Sequence, residues 1–211
     1  MKKKLYIIGA GGHGKVILDC ALSAGFEVVG IFDDNIKLLG EKIAGAEVLG
    51  RIDLAKKAIG PFVVAIGDNN KRKLVVDRLG IPDENFAIVI HPSAVVGRDV
   101  TLLPGSMIIA GVVINTGSVI GRHTIINTSS SIDHHNEIGD LVHIAPGVHT
   151  GGYVDVGELS FIGLGASIVN DVKIGKKVVV GAGSVVIKDI PDNVTVVGIP
   201  ARVIKKGSTV G

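Results

Sequence analysis

The spacing of apolar and polar positions changes character near residue 90. From Ile90 onward an aliphatic residue recurs every six positions: Ile90, Val96, Leu102, Ile108, Ile114, Ile120, Ile126, Ile132, Ile138, Ile144, Val156, Ile162, Ile168, Ile174, Val180 and Val186. Thr150 keeps the register but not the chemistry. Four residues after each aliphatic the residue is mostly small or β-branched, as at Ala94, Ser106, Val112, Ser118, Thr124 and Ser130, and glycines collect one and three residues after it. A helix has a period near 3.6 and an amphipathic strand a period of 2, so neither gives six. Very short strands joined by turns and wound into a parallel β-helix do give six. Each aliphatic then points inward and stacks on its equivalents in neighbouring coils, with glycine relieving the corners. The register never slips between 90 and 186, which predicts a prism about 25 Å long at ~4.8 Å per coil, with no loop protruding from a coil.

The first 88 residues follow a different rhythm. Leu5-Tyr6-Ile7-Ile8 reads as a buried strand, followed by Gly9-Ala10-Gly11-Gly12-His13-Gly14 and a helix to about Ala24. A second strand, Glu27 to Phe32, ends in Asp33-Asp34-Asn35; a third, Phe62 to Ile66, ends in Gly67-Asp68-Asn69-Asn70 and leads into a helix through about Leu79. Strands alternating with helices, with glycine turns at the strand ends, predict an α/β unit on a parallel sheet. Ligands of such units sit at the carboxyl ends of the strands. Gly9-x-Gly11-x-x-Gly14, with Asp33 about twenty residues on, fits a dinucleotide fingerprint in which amide groups at the helix start hold a phosphate and Asp33 or Asp34 accepts hydrogen bonds from a ribose or base. Tight turns alone explain the same glycines. A P-loop is excluded because Val16 stands where a magnesium-binding hydroxyl should be. The division falls at residues 1–88 and 89–211.

Composition narrows the partners. Twenty-two basic against 20 acidic residues leave a net charge of +2, and aromatics are 3% with no Trp. That balance argues against nucleic acid or an anionic membrane as partner. One cysteine, Cys20, excludes an internal disulfide framework and a four-cysteine zinc site, and its place in the early helix reads as a buried apolar residue. Behind Lys2-Lys3-Lys4, the apolar run Leu5 to Ile8 stops at Gly9, too short for a signal peptide or a membrane span, so a cytoplasmic protein is expected.

Five of the seven histidines lie between His123 and His149. They are open to three readings: polar residues on the solvent face of coils, ligands to a zinc ion held between subunits, or a general base with a pKa near neutrality. No His-x4-His spacing favours zinc, and no metal is expected.

Taken together, the hexads, the tail Gly198-Ile199-Pro200-Ala201 and the α/β unit before them resemble the hexapeptide-repeat sugar acetyltransferases of the sialic acid O-acetyltransferase and UDP-4-amino-sugar N-acetyltransferase family. The resemblance implies a Rossmann-like nucleotide-sugar domain followed by a left-handed β-helix with three hexads per coil. It implies that Gly11, Gly12, His13, Asp33, Asp34 and Gly67 hold the nucleotide-sugar, and that acetyl-CoA, the co-substrate, meets His143, Leu164 and Ala182. The segment Asn127-Thr128-Ser129-Ser130-Ser131-Ile132-Asp133-His134 resembles the family's catalytic segment and places the base at His134. The next residue, counted with it in the catalytic set, is often acidic in the family and raises the basicity of the base. It is His135 here, and Asp133, Glu137 or Asp140 are the candidates for the missing carboxylate. The expected reaction is N-acetylation of a nucleotide-linked amino sugar, with O-acetylation of a sialic acid or related sugar as the alternative. A scaffold that binds without acyl transfer is the further alternative.

Residues eighteen apart stack in such a coil. Leu164 and Ala182 share one column, while His134 lies nine residues from His143, half a coil away. One chain cannot bring both histidines to one acetyl group, so a site between neighbouring chains and a homotrimer are expected.

Overall fold

The computed structural model describes residues 3–207; the outermost positions of the two expected domains, 1–2 and 208–211, lie outside the described residues. The N-terminal unit is a five-stranded sheet of β1 (Lys4–Ile8), β2 (Glu27–Phe32), β3 (Lys42–Ile43), β4 (Ala46–Gly50) and β5 (Phe62–Val64), in the order β3-β4-β2-β1-β5. All neighbours run parallel except the hairpin of β3 and β4. Helix α1 (Gly12–Ser23) follows β1, and α2 (Asn69–Leu79) follows β5. Asp68 caps α2 by accepting from the Lys71 amide at 2.7 Å, and Gly80, in the left-handed region at φ 58°, ends it. The third strand is shorter than its apolar run suggests, and β3 and β4 were not expected. Ala44-Gly45 turns that hairpin with φ values of 44° and 87°.

Seventeen two-residue strands, β6 (Val89–Ile90) to β22 (Val185–Val186), make the rest of the molecule with a closing hairpin, β23 (Val194–Val197) and β24 (Arg202–Lys206). Every third strand pairs in parallel with a shift of eighteen residues, for example Ile126 with Ile144 and Ile132 with Thr150. Three flat sheets result, and the coils form a left-handed three-sided prism. The hexad aliphatics from Ile108 to Val186 point inward and are buried. Thr150 sits among them and its hydroxyl accepts the Asp133 amide at 3.2 Å, which satisfies the buried oxygen.

Glycine serves this prism in two ways. Corners turn through left-handed residues every sixth position; glycine relieves six of them, as expected, at Gly105, Gly111, Gly117, Gly147, Gly165 and Gly183, and non-glycine residues including His123, His135, Leu141, Tyr153 and Lys177 hold others. The glycines one residue after each aliphatic are required by crowding instead: a Cβ on Gly121 would stand 2.4 Å from the Gly139 carbonyl carbon of the next coil.

The first face of the prism is covered by the α/β unit. Its outward residues Val89, Met107 and Ile125 are fully buried in one cluster with Leu5, Ile7, Ile17, Cys20 and Ala21. Farther along the same face the outward residues are His143, Phe161 and Val179. No helix among the described residues is long and apolar enough to cross a membrane.

Candidate functional site

The glycine turn sorts itself by what surrounds each residue. Gly9 has φ +106° and Gly14 packs so closely that a Cβ would stand 2.1 Å from the Gly9 carbonyl oxygen, so these two are demanded by the turn. Gly11 and Gly12 are exposed and face open space, where a ligand can approach the backbone and the amides at the start of α1. The Asp33 carboxylate accepts from the Ala10 amide at 2.7 Å and the Asn35 amide at 2.8 Å, so it ties the glycine turn to the end of β2. Asp34 takes both terminal nitrogens of Arg78, at 2.9 and 3.2 Å, and the Ile52 amide at 3.2 Å. The hydrogen bond from Arg78 holds its carboxyl below the usual range. Each carboxylate oxygen has a second lone pair, so both aspartates keep acceptor capacity.

His13 stands on the first turn of α1 beside Gly67, and its ring centroid lies 5.9 Å from that of His143. Nε2 of His13 is buried without a hydrogen-bond partner among the described residues. Burial first, and the neighbouring His143 and Arg72 next, pull its pKa down to about 3, so the ring is neutral.

His143 joins the two domains. Its Nδ1 lies 2.9 Å from the Gly67 carbonyl and its Nε2 3.0 Å from the Asn127 side-chain amide. A carbonyl only accepts, so Nδ1 carries the hydrogen and Nε2 accepts from Asn127. Burial lowers the pKa of His143 to about 4, in keeping with that neutral tautomer.

Arg72, which sequence reasoning did not single out, fixes this contact. Its side chain is fully buried. It donates to the carbonyls of His123 and Leu141 at 2.8 Å and Val142 at 3.3 Å on the prism, and to those of Ile66 at 2.8 Å and Gly67 at 3.2 Å on its own domain. Asn69 adds bonds to the Leu159 and Ser160 carbonyls. The start of α2 is thereby clamped to one corner of the prism, and burial draws the guanidinium pKa down to about 9.

Beyond the clamp lies a cavity of about 700 Å³. Its floor is His143, Phe161 and Val179, and its rim includes Gly67, Asp68 and Lys177. Gly67 and His143, in contact at 2.9 Å, therefore line the same cavity. Leu164 and Ala182 are exposed at the adjoining corner, where the first face turns into the second. Phe161 and Val179 were reachable from the sequence, since each lies one coil beyond its predecessor in the column of His143.

His134 and His135 are elsewhere. They form the corner between the second and third faces, across the prism from the face that carries His143. His123, the remaining buried histidine of the cluster, packs edge-on against Phe86 with centroids 4.5 Å apart. Burial lowers its pKa to about 4. Among the described residues no group of three or more His, Cys, Asp or Glu is placed to hold a metal ion.

Comparison with known proteins agrees with the fold, an α/β unit followed by a left-handed β-helix. Residues 4–79 match the family described as the PglD N-terminal domain. A UDP-N-acetylbacillosamine N-acetyltransferase of Bacillus subtilis is 37% identical over 112 residues, 51% of this chain and 52% of that protein. The chain thus spans about half the length of that curated relative, and 20% of a second one, an uncharacterised mimivirus protein. Solved structures match nearly throughout. The acetyltransferase domain of PglB from Neisseria gonorrhoeae superposes with a TM-score of 0.88 at 34% identity, covering 96% of this chain and 100% of that one. A perosamine N-acetyltransferase from Caulobacter crescentus, solved in complex with CoA and GDP-perosamine, gives 0.88 at 35%, covering 96% and 97%. With likeness of this extent across both domains, the chain belongs to the hexapeptide-repeat sugar N-acetyltransferases.

Proposed function

We propose that this protein transfers the acetyl group of acetyl-CoA to the amino group of a nucleotide-linked amino sugar of the UDP-4-amino-sugar type. The observation that carries the reading is the hydrogen bond between Gly67 and His143 in the lining of one cavity. It joins the residue expected to face the nucleotide-sugar to the residue expected to face acetyl-CoA. Two of the relatives named above, from Bacillus subtilis and Caulobacter crescentus, are N-acetyltransferases, which favours an amine over a hydroxyl acceptor.

In this reading the division into two domains falls after residue 88. The exposed amides of Gly11 and Gly12, His13 and the remaining acceptor capacity of Asp33 and Asp34 take the nucleotide-sugar. Acetyl-CoA, as co-substrate, lies over His143 and along Leu164 and Ala182. The neutral sugar amine attacks the thioester carbonyl; the carbon–nitrogen bond forms and the carbon–sulfur bond breaks. His134 Nε2 removes the proton that the nitrogen loses, and the leaving sulfur takes up a proton to give free CoA thiol.

His134 reaches the cavity from a neighbouring chain of a homotrimer. The faces support this packing. The first is covered by the α/β unit, and the third carries Glu137, Asp155 and Lys173 outward. The second presents Val95, Val113, Ser131, His149, Ser167 and Val185, with no formal charge. Burying the second face around a three-fold axis sets the His134 corner of one copy beside the Leu164 corner of the next. The protein acts in the cytoplasm, where acetyl-CoA is at hand.

The test is CoA-thiol release with acetyl-CoA across UDP- and GDP-linked amino sugars, free sialic acids as comparison. Saturable release with a nucleotide amino sugar is expected. Release with sialic acid alone overturns the amine assignment, and no saturable acetyl-CoA binding by calorimetry overturns the enzyme reading in favour of a scaffold.

A further inference from the structure

The His134 ring makes no hydrogen bond to any of the three candidate carboxylates. Asp133 Oδ1 accepts from the Asn115 side chain and from the backbone amide of His134, each at 2.8 Å. Asp140 is held by Arg122, through the backbone amide at 2.7 Å and Nε at 3.1 Å. Glu137 projects from the third face between Val119 and Asp155. What meets the ring is a second imidazole: Nδ1 of His134 lies 3.1 Å from Nδ1 of His135.

This pair is built into the coil. His135 takes φ 57° at its corner. Tyr153, one coil on in the same column, stacks on His135 with centroids 5.0 Å apart at 13° and meets the His134 ring edge-on at 5.2 Å. Space for both rings comes from glycines in the same two columns. A Cβ on Gly117 would stand 2.8 Å from His135 Cδ2, and one on Gly152 would stand 2.5 Å from His134 Cε1. Asp133 lies on the same turn as the pair and Tyr153 on the next coil.

We propose that His135 is the positioning residue for His134, accepting the Nδ1 hydrogen of His134 where a carboxylate would otherwise do so. The proposal rests on the reading of His134 as general base. Only one hydrogen fits between two Nδ1 atoms. When His134 owns it, Nε2 of His134 is bare and can take the proton of the sugar amine. When His135 owns it, Nε2 of His134 carries a hydrogen and the base is lost.

Three substitutions separate the roles of His135. His135→Phe keeps the stack on Tyr153 and removes the acceptor; His135→Asn suits the left-handed backbone and restores an acceptor oxygen; His135→Glu supplies a carboxylate. In the thiol-release assay the Phe variant loses about 10–100-fold in kcat with KM for both substrates little changed, and the Asn variant recovers most of that loss. The Glu variant is active with its acid limb moved to higher pH, because a carboxylate favours the imidazolium. A Phe variant with wild-type kcat and pH profile overturns the proposal, as does a Glu variant with an unmoved acid limb should the Phe variant fail to fold. Ring nitrogen NMR of the wild-type protein reads the tautomer without substrate. An Nδ1–H tautomer for His134 is expected, and Nε2–H overturns the pairing. A wild-type enzyme inert on every nucleotide amino sugar overturns the wider reading instead, with the tautomer result standing apart.

Discussion

Adding a single methyl group at Gly152 tests whether the position of the His134 ring matters. The backbone there lies outside the left-handed region that favours glycine, so alanine brings no backbone strain. Its Cβ would stand 2.5 Å from Cε1, 2.7 Å from Nε2 and 3.0 Å from Nδ1 of His134. Non-bonded carbons rest about 3.5 Å apart, so the ring must retreat by ~1 Å. The ring is half-buried and on a rotatable side chain, so it can yield without moving the coils, and stability should change by less than ~1 kcal/mol. A base displaced by ~1 Å costs on the order of 10² in turnover. Gly152→Ala is therefore expected to lose about 100-fold in kcat, with an almost unchanged melting temperature and acetyl-CoA affinity. The assay is thiol release at saturating substrates beside a thermal melt. Wild-type turnover in this variant would refute the claim that His134 moves the proton, and a collapsed melt would refute the claim that only the ring shifts.

Three further outcomes follow from the same contacts. Arg72→Met takes a donor from five backbone carbonyls at the domain junction, of which Gly67 keeps His143 and Val142 keeps the Ile125 amide, and this should cost at least ~3 kcal/mol in denaturant unfolding; Arg72→Lys should not restore it, since one ammonium cannot span the fork. Full stability in Arg72→Met would show that the clamp is dispensable. Burial pushes the Cys20 thiol up to about 12, and the side chain is buried, so Cys20→Ala should keep wild-type turnover; a loss would point to an acetyl-thioenzyme instead. His13, His123 and His143 have folded pKa values of about 3, 4 and 4, below the unfolded value of 6.5. The unfolded chain therefore binds more protons in acid, and stability present above pH 6.5 is lost as pH falls towards 4, by roughly 1.4 kcal/mol per pH unit for each ring. Melting temperatures should drop between pH 7 and 5, and a flat profile would contradict the buried, neutral state of these rings.

The prism was legible because a period of six encodes direction as well as strand position. Once Ile126 points inward, the corner at Ser129 and the outward strand residues are set. The hairpin of β3 and β4 was not legible, since Ala46-Glu47-Val48-Leu49-Gly50 is short and alternates only across Ala46 and Val48. Which glycines serve the turn and which leave room for a ligand depends on neighbours distant in sequence, as Gly14 against Gly9 and Gly152 against His134 illustrate. Arg72 gave no signal, because its partners are backbone carbonyls and these leave no trace in residue identity. The contacts of His135 could have been found by arithmetic: Gly117, His135 and Tyr153 are eighteen apart.

The most direct measurement mixes two inactive proteins. One carries His134→Ala with an intact cavity; the other carries a bulky substitution on the cavity side, Leu164→Arg, with an intact His134. Refolded together, random trimers place a working His134 beside a working cavity at about a quarter of interfaces, so recovery near a quarter of wild-type turnover is expected. Mixed assemblies that form yet stay inactive would contradict a site shared between copies.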